Sequence, residues 1–244
     1  MGNESCTCRA APTPPVRQKL SGSSQGDSAA SAGPSKELAA GPWELDALEL
    51  SDAALGQAAV QLLSGCYAAC GGAELAFLRN FVSRVHAEYR PNPFHSFRHA
   101  LDVLQTALRL GELMPWAGLF SPTRRLGLLV AALGHDVGHP GLSNVFLVEA
   151  CDELAARYND ISPLENMHCR RLFEIQRLQG CDVFAHLPRE EVRELRKLII
   201  DAILHTDAAR HGAVTGALEA LHREHVEAVA GAGCALGDAP GAGK

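Results

Sequence analysis

An all-α protein is predicted, on three observations. Aromatic residues make up only 5% of the 244 positions while Ala and Leu abound, a balance that favours packed helices over a sandwich or barrel, where β-branched and aromatic residues dominate. Apolar residues recur at helical spacing from Trp43 to about Glu227, and the interruptions are short and marked by Gly71-Gly72, Pro91 to Pro93, Pro115, Pro122, Pro140-Gly141, Pro163, Pro188 and Gly212. This punctuation divides the region into about eight or nine helices. A composition 47% hydrophobic and 20% charged suits one globular domain with some irregular sequence attached.

Residues 1–42 are expected to be a disordered leader. They are rich in Ser, Gly, Ala and Pro (SGSSQGDSAASAGPSKELAAGP), with too few large apolar groups to offset the entropy of ordering them. The first residues, MGNESCTC, place Gly2 behind the initiator Met with Cys6 and Cys8 close by, near the myristoylation pattern, although Cys6 stands where Ser or Thr is preferred. An ordinary polar terminus is the plain reading; the alternative is membrane tethering by acylation of Gly2 plus a second chain on Cys6 or Cys8.

Residues 43–230 form the packed helical region. Within it, Leu126 to Leu133 is apolar on every face, as a fully buried helix requires. Ser162, Pro163 and Glu165 fit the N-cap, N1 and N3 positions of a capping box, so a helix is expected to start there. Asp207 and His211 are spaced as a side-chain pair on another helix. In AVAGAGCALGDAPGAGK periodicity and bulk are lost, and residues 231–244 read as a low-complexity tail.

Several function classes are excluded early. With 22 Lys+Arg against 28 Asp+Glu and no basic stripe, there is no electrostatic grip on a nucleic-acid polymer. No stretch approaches the length of an apolar membrane span, and the polar N-terminus lacks a signal-peptide core, so a cytoplasmic, reducing setting is expected. The 8 cysteines agree. Cys66 and Cys70 are four apart, Cys151, Cys169 and Cys181 are scattered, and no CxxC pair occurs, so they are expected to be buried small hydrophobes rather than disulfides or zinc ligands.

Three segments bring metal-binding side chains into helical sequence. In FHSFRH, His95 and His99 are four apart and project from one face if the segment is helical; a surface or satisfied core pair is the bland alternative. The apolar run ending at Leu133 leads directly into His135-Asp136-Val137-Gly138-His139. A carboxylate at the negative pole of a helix and beside apolar neighbours needs a cation, and no Lys or Arg is adjacent in sequence. A divalent metal held by His135 and Asp136, with His139 one turn on, answers that need; a solvated Asp in an exposed loop is the alternative. In the third segment Glu165 and His168 share a helical face suited to holding a metal-bound water, beside the capping role already given to Glu165.

The blocks NPFHSFRHALDVLQ, HDVGHPGLSNVFL, DELAARYNDISPLENMHC and ILHTDAARH, in this order, resemble the catalytic domain of the class I 3′,5′-cyclic-nucleotide phosphodiesterases, an all-helical branch of the HD superfamily. The resemblance runs from about Trp43 to His211, and the wording NPFH and YNDISPLEN is nearest the cGMP-preferring type 9 enzymes. It implies that His99, His135 and Asp136 match three of four protein ligands of a tight metal, usually zinc, and that Asp136 also reaches a second metal, usually magnesium. It further implies His95 as general acid, His139, Glu165 and Thr206 as holders of water or hydroxide at the second metal, and Asn144 and Asp207 as substrate-pocket positions. The implied reaction opens the 3′ phosphoester of cAMP or cGMP to give the 5′-monophosphate.

The resemblance also has a gap. The family's fourth metal-binding aspartate, its purine-reading glutamine and its base-clamping aromatic fall on later helices, and no residue here matches them. The chain is therefore expected to be the N-terminal portion of such a domain, C-terminally truncated, with an apolar face left to aggregate or oligomerise. The alternatives carried alongside are a non-catalytic interaction or regulatory module, and an HD phosphohydrolase of another substrate range.

Overall fold

The computed structural model describes residues 45–114 and 116–234. The leader with Gly2, Cys6 and Cys8, and the part of the tail beyond residue 234, lie outside the described residues. The described chain holds ten α-helices, one 3-10 turn and no strand. They are α1 (Asp52–Ala69), α2 (Leu75–Glu88), α3 (Phe97–Leu113), α4 (Trp116–Leu119), α5 (Pro122–Gly134), α6 (Asn144–Glu149), α7 (Glu153–Arg157), α8 (Pro163–Gln176), α9 (Arg189–Leu204), a 3-10 turn (Ala208–Arg210) and α10 (His211–Cys234). The all-α class is borne out. The count exceeds the expected eight or nine because α4, α6 and α7 are single short turns of helix too brief to carry a periodic pattern.

Helix starts follow cap chemistry. Ser51, Ser121, Ser143 and Asp152 each accept a backbone N–H from the first turn of α1, α5, α6 and α7, and Pro122 and Pro163 occupy the first turns of α5 and α8. Gly212, expected to break a helix, sits instead in the first turn of α10, because the 3-10 turn just before it already makes the break.

The centre of the molecule is α5, wrapped by α1, α3 and α9 and touched by α8. Leu126, Leu129 and Leu133 are fully buried there, as the apolar run required. Close approach is set by two glycines. A Cβ on Gly134 would lie 2.5 Å from Leu172 Cδ1 of α8, and Gly138, at φ +78°, leaves room for the Arg171 side chain. Arg98 of α3 donates to the carbonyls of Ala47 (2.8 Å) and Leu50 (2.6 Å), tying the chain ahead of α1 to this core.

At the other extreme, α10 packs chiefly on the adjoining 3-10 turn and leaves Leu218, Leu221 and Val226 exposed. No helix among the described residues is long and apolar enough to cross a membrane. Cys66, Cys70, Cys151, Cys169 and Cys181 are all free, and Cys169 and Cys181 are buried. Cys151 corrects the expectation of burial: it follows the short α6 at φ 51° and is exposed.

Candidate metal centre

One wall of the centre is built where α5 ends. Its last residue, Gly134, is followed by His135 at the C-cap and Asp136 just beyond. Tyr89, buried at the end of α2, donates its hydroxyl to Leu133 O (2.8 Å) and accepts the Asp136 N–H (3.3 Å), so backbone groups freed by the helix terminus are satisfied without water. This holds Asp136 facing a ring of imidazoles. His135 Nε2 is 3.2 Å and His99 Nε2 3.6 Å from Asp136 Oδ2, while His168 Nε2 is 3.8 Å from Oδ1.

The charges in this ring are not all of one kind. Burial works against ionised Asp136, but the His135 hydrogen bond and the nearby imidazoles outweigh it and bring its pKa down to about 2. Burial also works against charged His135, and its hydrogen bond to Asp136 prevails, moving its pKa upward. His99 is pushed down by burial and then by His135. His139 falls to about 4 through burial and His95, and His168 to about 4 through burial. Burial thus favours the neutral form of His99, His139 and His168, each of which keeps a ring lone pair, around a single ionised carboxylate.

That donor set fits a metal. The ligand atoms of His99, His135 and Asp136 lie within 4.8 Å of one another, and so do those of Asp136, His139 and His168. Two atoms bound to one ion at about 2.0–2.2 Å stand about 3 Å apart at right angles and about 4.2 Å apart when opposed, so the observed separations are of coordination size. Imidazole and carboxylate together suit borderline cations such as zinc.

The second wall comes from loops and short helices. Asn144, at the start of α6, donates to Glu165 Oε2 (2.8 Å) and accepts the Leu164 N–H (3.0 Å). The expected capping box is overturned by this arrangement. Ser162 lies in the left-handed region at φ 44° and makes no side-chain cap bond; its hydroxyl donates to Asp207 Oδ2 at 2.7 Å. Asn144 supplies the first-turn acceptor instead, and burial raises the pKa of Glu165 against the pull of that amide. The Asp207–His211 pair is likewise replaced, because α9 ends before Asp207. Asp207 then caps the 3-10 turn through Ala209 N (2.9 Å) and takes Ser162 on its other oxygen. Thr206 gives its hydroxyl proton to Ile203 O (2.7 Å), which leaves its lone pairs to accept.

His95 is also placed differently from the helical pair envisaged, since α3 starts only at Phe97. Its ring stands 88° to that of His99 and stacks on His139, with centroids 3.8 Å apart and planes 12° apart. All nine residues that the resemblance assigns, His95, His99, His135, Asp136, His139, Asn144, Glu165, Thr206 and Asp207, nevertheless line one cavity of about 1120 Å³, as does His168. Sequence reasoning missed Asn92, whose side-chain amide donates to His95 O (3.1 Å) and His139 O (2.8 Å) and so joins the two loops. It also missed the apolar lining from Val103, Leu142, Val145 and Val148.

The description "3′5′-cyclic nucleotide phosphodiesterase" belongs to the family model that matches residues 94–232, a span holding every one of those nine side chains. The chain belongs to that family. Over 137 residues it is 44% identical to the high affinity cGMP-specific 3′,5′-cyclic phosphodiesterase 9A of Mus musculus, covering 56% of this chain and 26% of that one. Over 160 residues it is 41% identical to the 3′,5′-cyclic-AMP phosphodiesterase, isoform F, of Drosophila melanogaster, covering 65% and 24%. Among solved structures, the phosphodiesterase domain of the Salpingoeca rosetta rhodopsin phosphodiesterase matches with a TM-score of 0.72 and 36% identity, covering 75% of this chain and 56% of that one. The chain thus spans about a quarter of the length of the curated phosphodiesterases it matches.

Proposed function

We propose that this cavity hydrolyses 3′,5′-cyclic nucleotides at the 3′ phosphoester, releasing the 5′-monophosphate. The observation that carries the reading is Asp136 facing three imidazole Nε2 atoms at 3.2 to 3.8 Å, in a chain of this family. His99, His135 and Asp136 would hold a zinc ion, and Asp136 would share in holding a second divalent cation. When bound, such ions neutralise phosphoryl oxygens and lower the pKa of attacking water.

The chain's own side chains then divide the remaining work. Glu165, fixed through Oε2 by Asn144, accepts a hydrogen bond from the attacking water, and Thr206 offers a second acceptor. His139, which lines the same cavity, keeps the water in line with phosphorus. As the P–O3′ bond breaks, the His95 imidazole gives its proton to O3′, a contribution of about a hundredfold to ten-thousandfold in rate. The reading assigns residues 43–230 to the catalytic region and leaves the leader and tail outside it. It is tested by assaying the purified 244-residue chain, loaded with zinc and a second cation, for conversion of cAMP and cGMP. Formation of the 5′-nucleotide, abolished in His95→Ala, is expected. A chain that takes up no metal and leaves both nucleotides intact overturns the reading in favour of an interaction module.

A further inference from the structure

Away from the catalytic cavity, α1 ends in a thiol that meets an imidazole from a distant part of the chain. Cys70, the C-cap of α1, has its Sγ 3.7 Å from Nε2 of His186, which lies 116 residues later between α8 and α9. Neither residue lines the cavity of about 1120 Å³, and the reaction described above uses neither. Cys70 is half-buried rather than buried, and His186 is exposed, so ions in solution have access to the pair.

The surrounding chain fixes both groups. On the α1 side the helix is closed by Gly71 at φ +93°, and the Gly72 N–H returns to Tyr67 O at 2.9 Å. The Tyr67 ring occupies the space a Cβ on Gly72 would need, 2.6 Å away, and stands edge-on to the His186 ring with centroids 5.3 Å apart. On the other side Val183 and Phe184 are buried, and Asp182 Oδ1 accepts Gln176 Nε2 (2.9 Å) and the Phe184 N–H (3.0 Å). The Leu187 N–H then returns to Phe184 O at 2.9 Å, which closes a turn around His186. Two donors held in place by their supports lose little freedom when they take up an ion.

Their separation is of coordination size. Sulfur at about 2.3 Å and nitrogen at about 2.0–2.1 Å from one tetrahedral ion stand about 3.6 Å apart. The local charges favour a cation as well. Burial, and then Cys66 and Glu191, push the Cys70 thiol up, and burial followed by Cys70, Glu74 and Asp182 does the same to Tyr67. A thiolate here is costly unless a positive ion compensates it.

We propose that Cys70 Sγ and His186 Nε2 form a second, non-catalytic site for a thiophilic divalent cation of the zinc and cadmium class, with water completing the tetrahedron. Binding exchanges the Cys70 S–H, which donates to Tyr67 O at 3.2 Å, for a metal–sulfur bond and releases that proton to solvent; neutral His186 binds through its lone pair. Magnesium and calcium, which take oxygen ligands, do not compete. The bound ion clasps the end of α1 to the connection between α8 and α9, so it stabilises the folded chain.

The test uses the purified full chain, kept reduced, stripped with chelator and titrated with Co²⁺ or Cd²⁺. Sulfur-to-metal charge-transfer absorption in the near ultraviolet is expected for the wild type. The imidazoles and carboxylate at Asp136 give no such band, so it reports thiolate ligation alone. Cys70→Ala is expected to abolish the band, and His186→Ala to weaken Cd²⁺ binding at it by more than about a hundredfold. A chain with both Cys6→Ala and Cys8→Ala is expected to match the wild type. Cd²⁺ should also raise the unfolding midpoint of the wild type by more than that of Cys70→Ala. Absence of the band from the wild type overturns the proposal even if neither variant folds. A band that survives Cys70→Ala, a band unaffected by His186→Ala, or equal rises in midpoint overturn it too. None of these outcomes bears on the catalytic reading.

Discussion

The two walls of the cavity are built by different means. The wall with His99, His135 and Asp136 is the terminus of α5 and a turn of α3, backed by Leu126, Leu129 and Leu133 with no exposure at all. The facing wall, with Asn144, Glu165, Thr206 and Asp207, is assembled from the start of α6, the first turn of α8 and the segment after α9, next to residues at positive φ, Asn159, Asp160 and Ser162, and is tied by a few side-chain hydrogen bonds. The first wall derives its position from packing, which is dense and resists displacement. The second derives it from a few polar bonds, each worth about 0.5–1.5 kcal/mol net. On the proposed reading, metal binding falls to the wall placed by packing, and the handling of water and substrate to the wall placed by polar bonds.

The largest effect should come from the packed wall's own charge. Asp136→Ala removes the one carboxylate that faces three imidazoles, and hydrolysis is expected to fall by more than about a thousandfold, with loss of bound metal measured by elemental analysis. If the variant retains both ions, metal binding does not reside in the packed wall. Next comes the packing itself. In Gly134→Val the new Cβ and methyls meet Leu172, and the cost is expected to be about 3 kcal/mol, read as a lower denaturant midpoint with unchanged slope. A loss under about 0.5 kcal/mol would show that α8 slides freely on α5 and that the wall is less fixed than its burial says.

The division also explains what the sequence disclosed. The packed wall was legible because its pattern is local: an all-apolar run that ends in His135-Asp136 states at once that a charge is stranded at a helix terminus. The loop wall was not. Ser162, Pro163 and Glu165 satisfy every local rule for a capping box, yet the acceptor that replaced the serine, Asn144, is 20 residues away from the Leu164 amide it serves. Asp207 has the same history, since its partner Ser162 lies 45 residues earlier. His95 was found for its chemistry and misplaced in geometry, because α3 starts two residues after it and the bond that holds its loop comes from Asn92. The bonds of His139 Nδ1 to the Gly141 amide and of His168 Nδ1 to the Val137 carbonyl had no sequence signal at all, since each depends on a backbone atom in the folded chain.

A milder perturbation addresses the loop wall alone. Ser162→Ala removes the donor to buried Asp207 Oδ2 and is expected to cost about 1–2 kcal/mol while leaving zinc content unchanged. Thr206 adjoins Asp207, so kcat is expected to fall about ten- to a hundredfold with the metal still seated. Equal loss of zinc and of kcat would merge the two walls into one unit.

The smallest effect is a contrast in thiol chemistry between the two regions. Cys169 of α8 packs on the core side, where burial pushes its thiol up to about 12; Cys151 sits exposed in the loop region. Alkylation proceeds through the thiolate, so Cys151 is expected to react with iodoacetamide first and Cys169 only on unfolding, as followed by peptide mass mapping between pH 7 and 9. The same shift has a linkage consequence whose sign is fixed. The folded pKa lies above the unfolded value near 8.5, so the contribution of Cys169 is undiminished below about pH 8.5 and is lost as pH rises from there towards 12, where the unfolded chain ionises and the folded one does not. Cys169→Ala should therefore flatten the decline of stability above pH 9. Rapid labelling of Cys169 in the native chain at pH 8 would mean that α8 separates from the core without global unfolding, and the packed region would then have to be drawn without it.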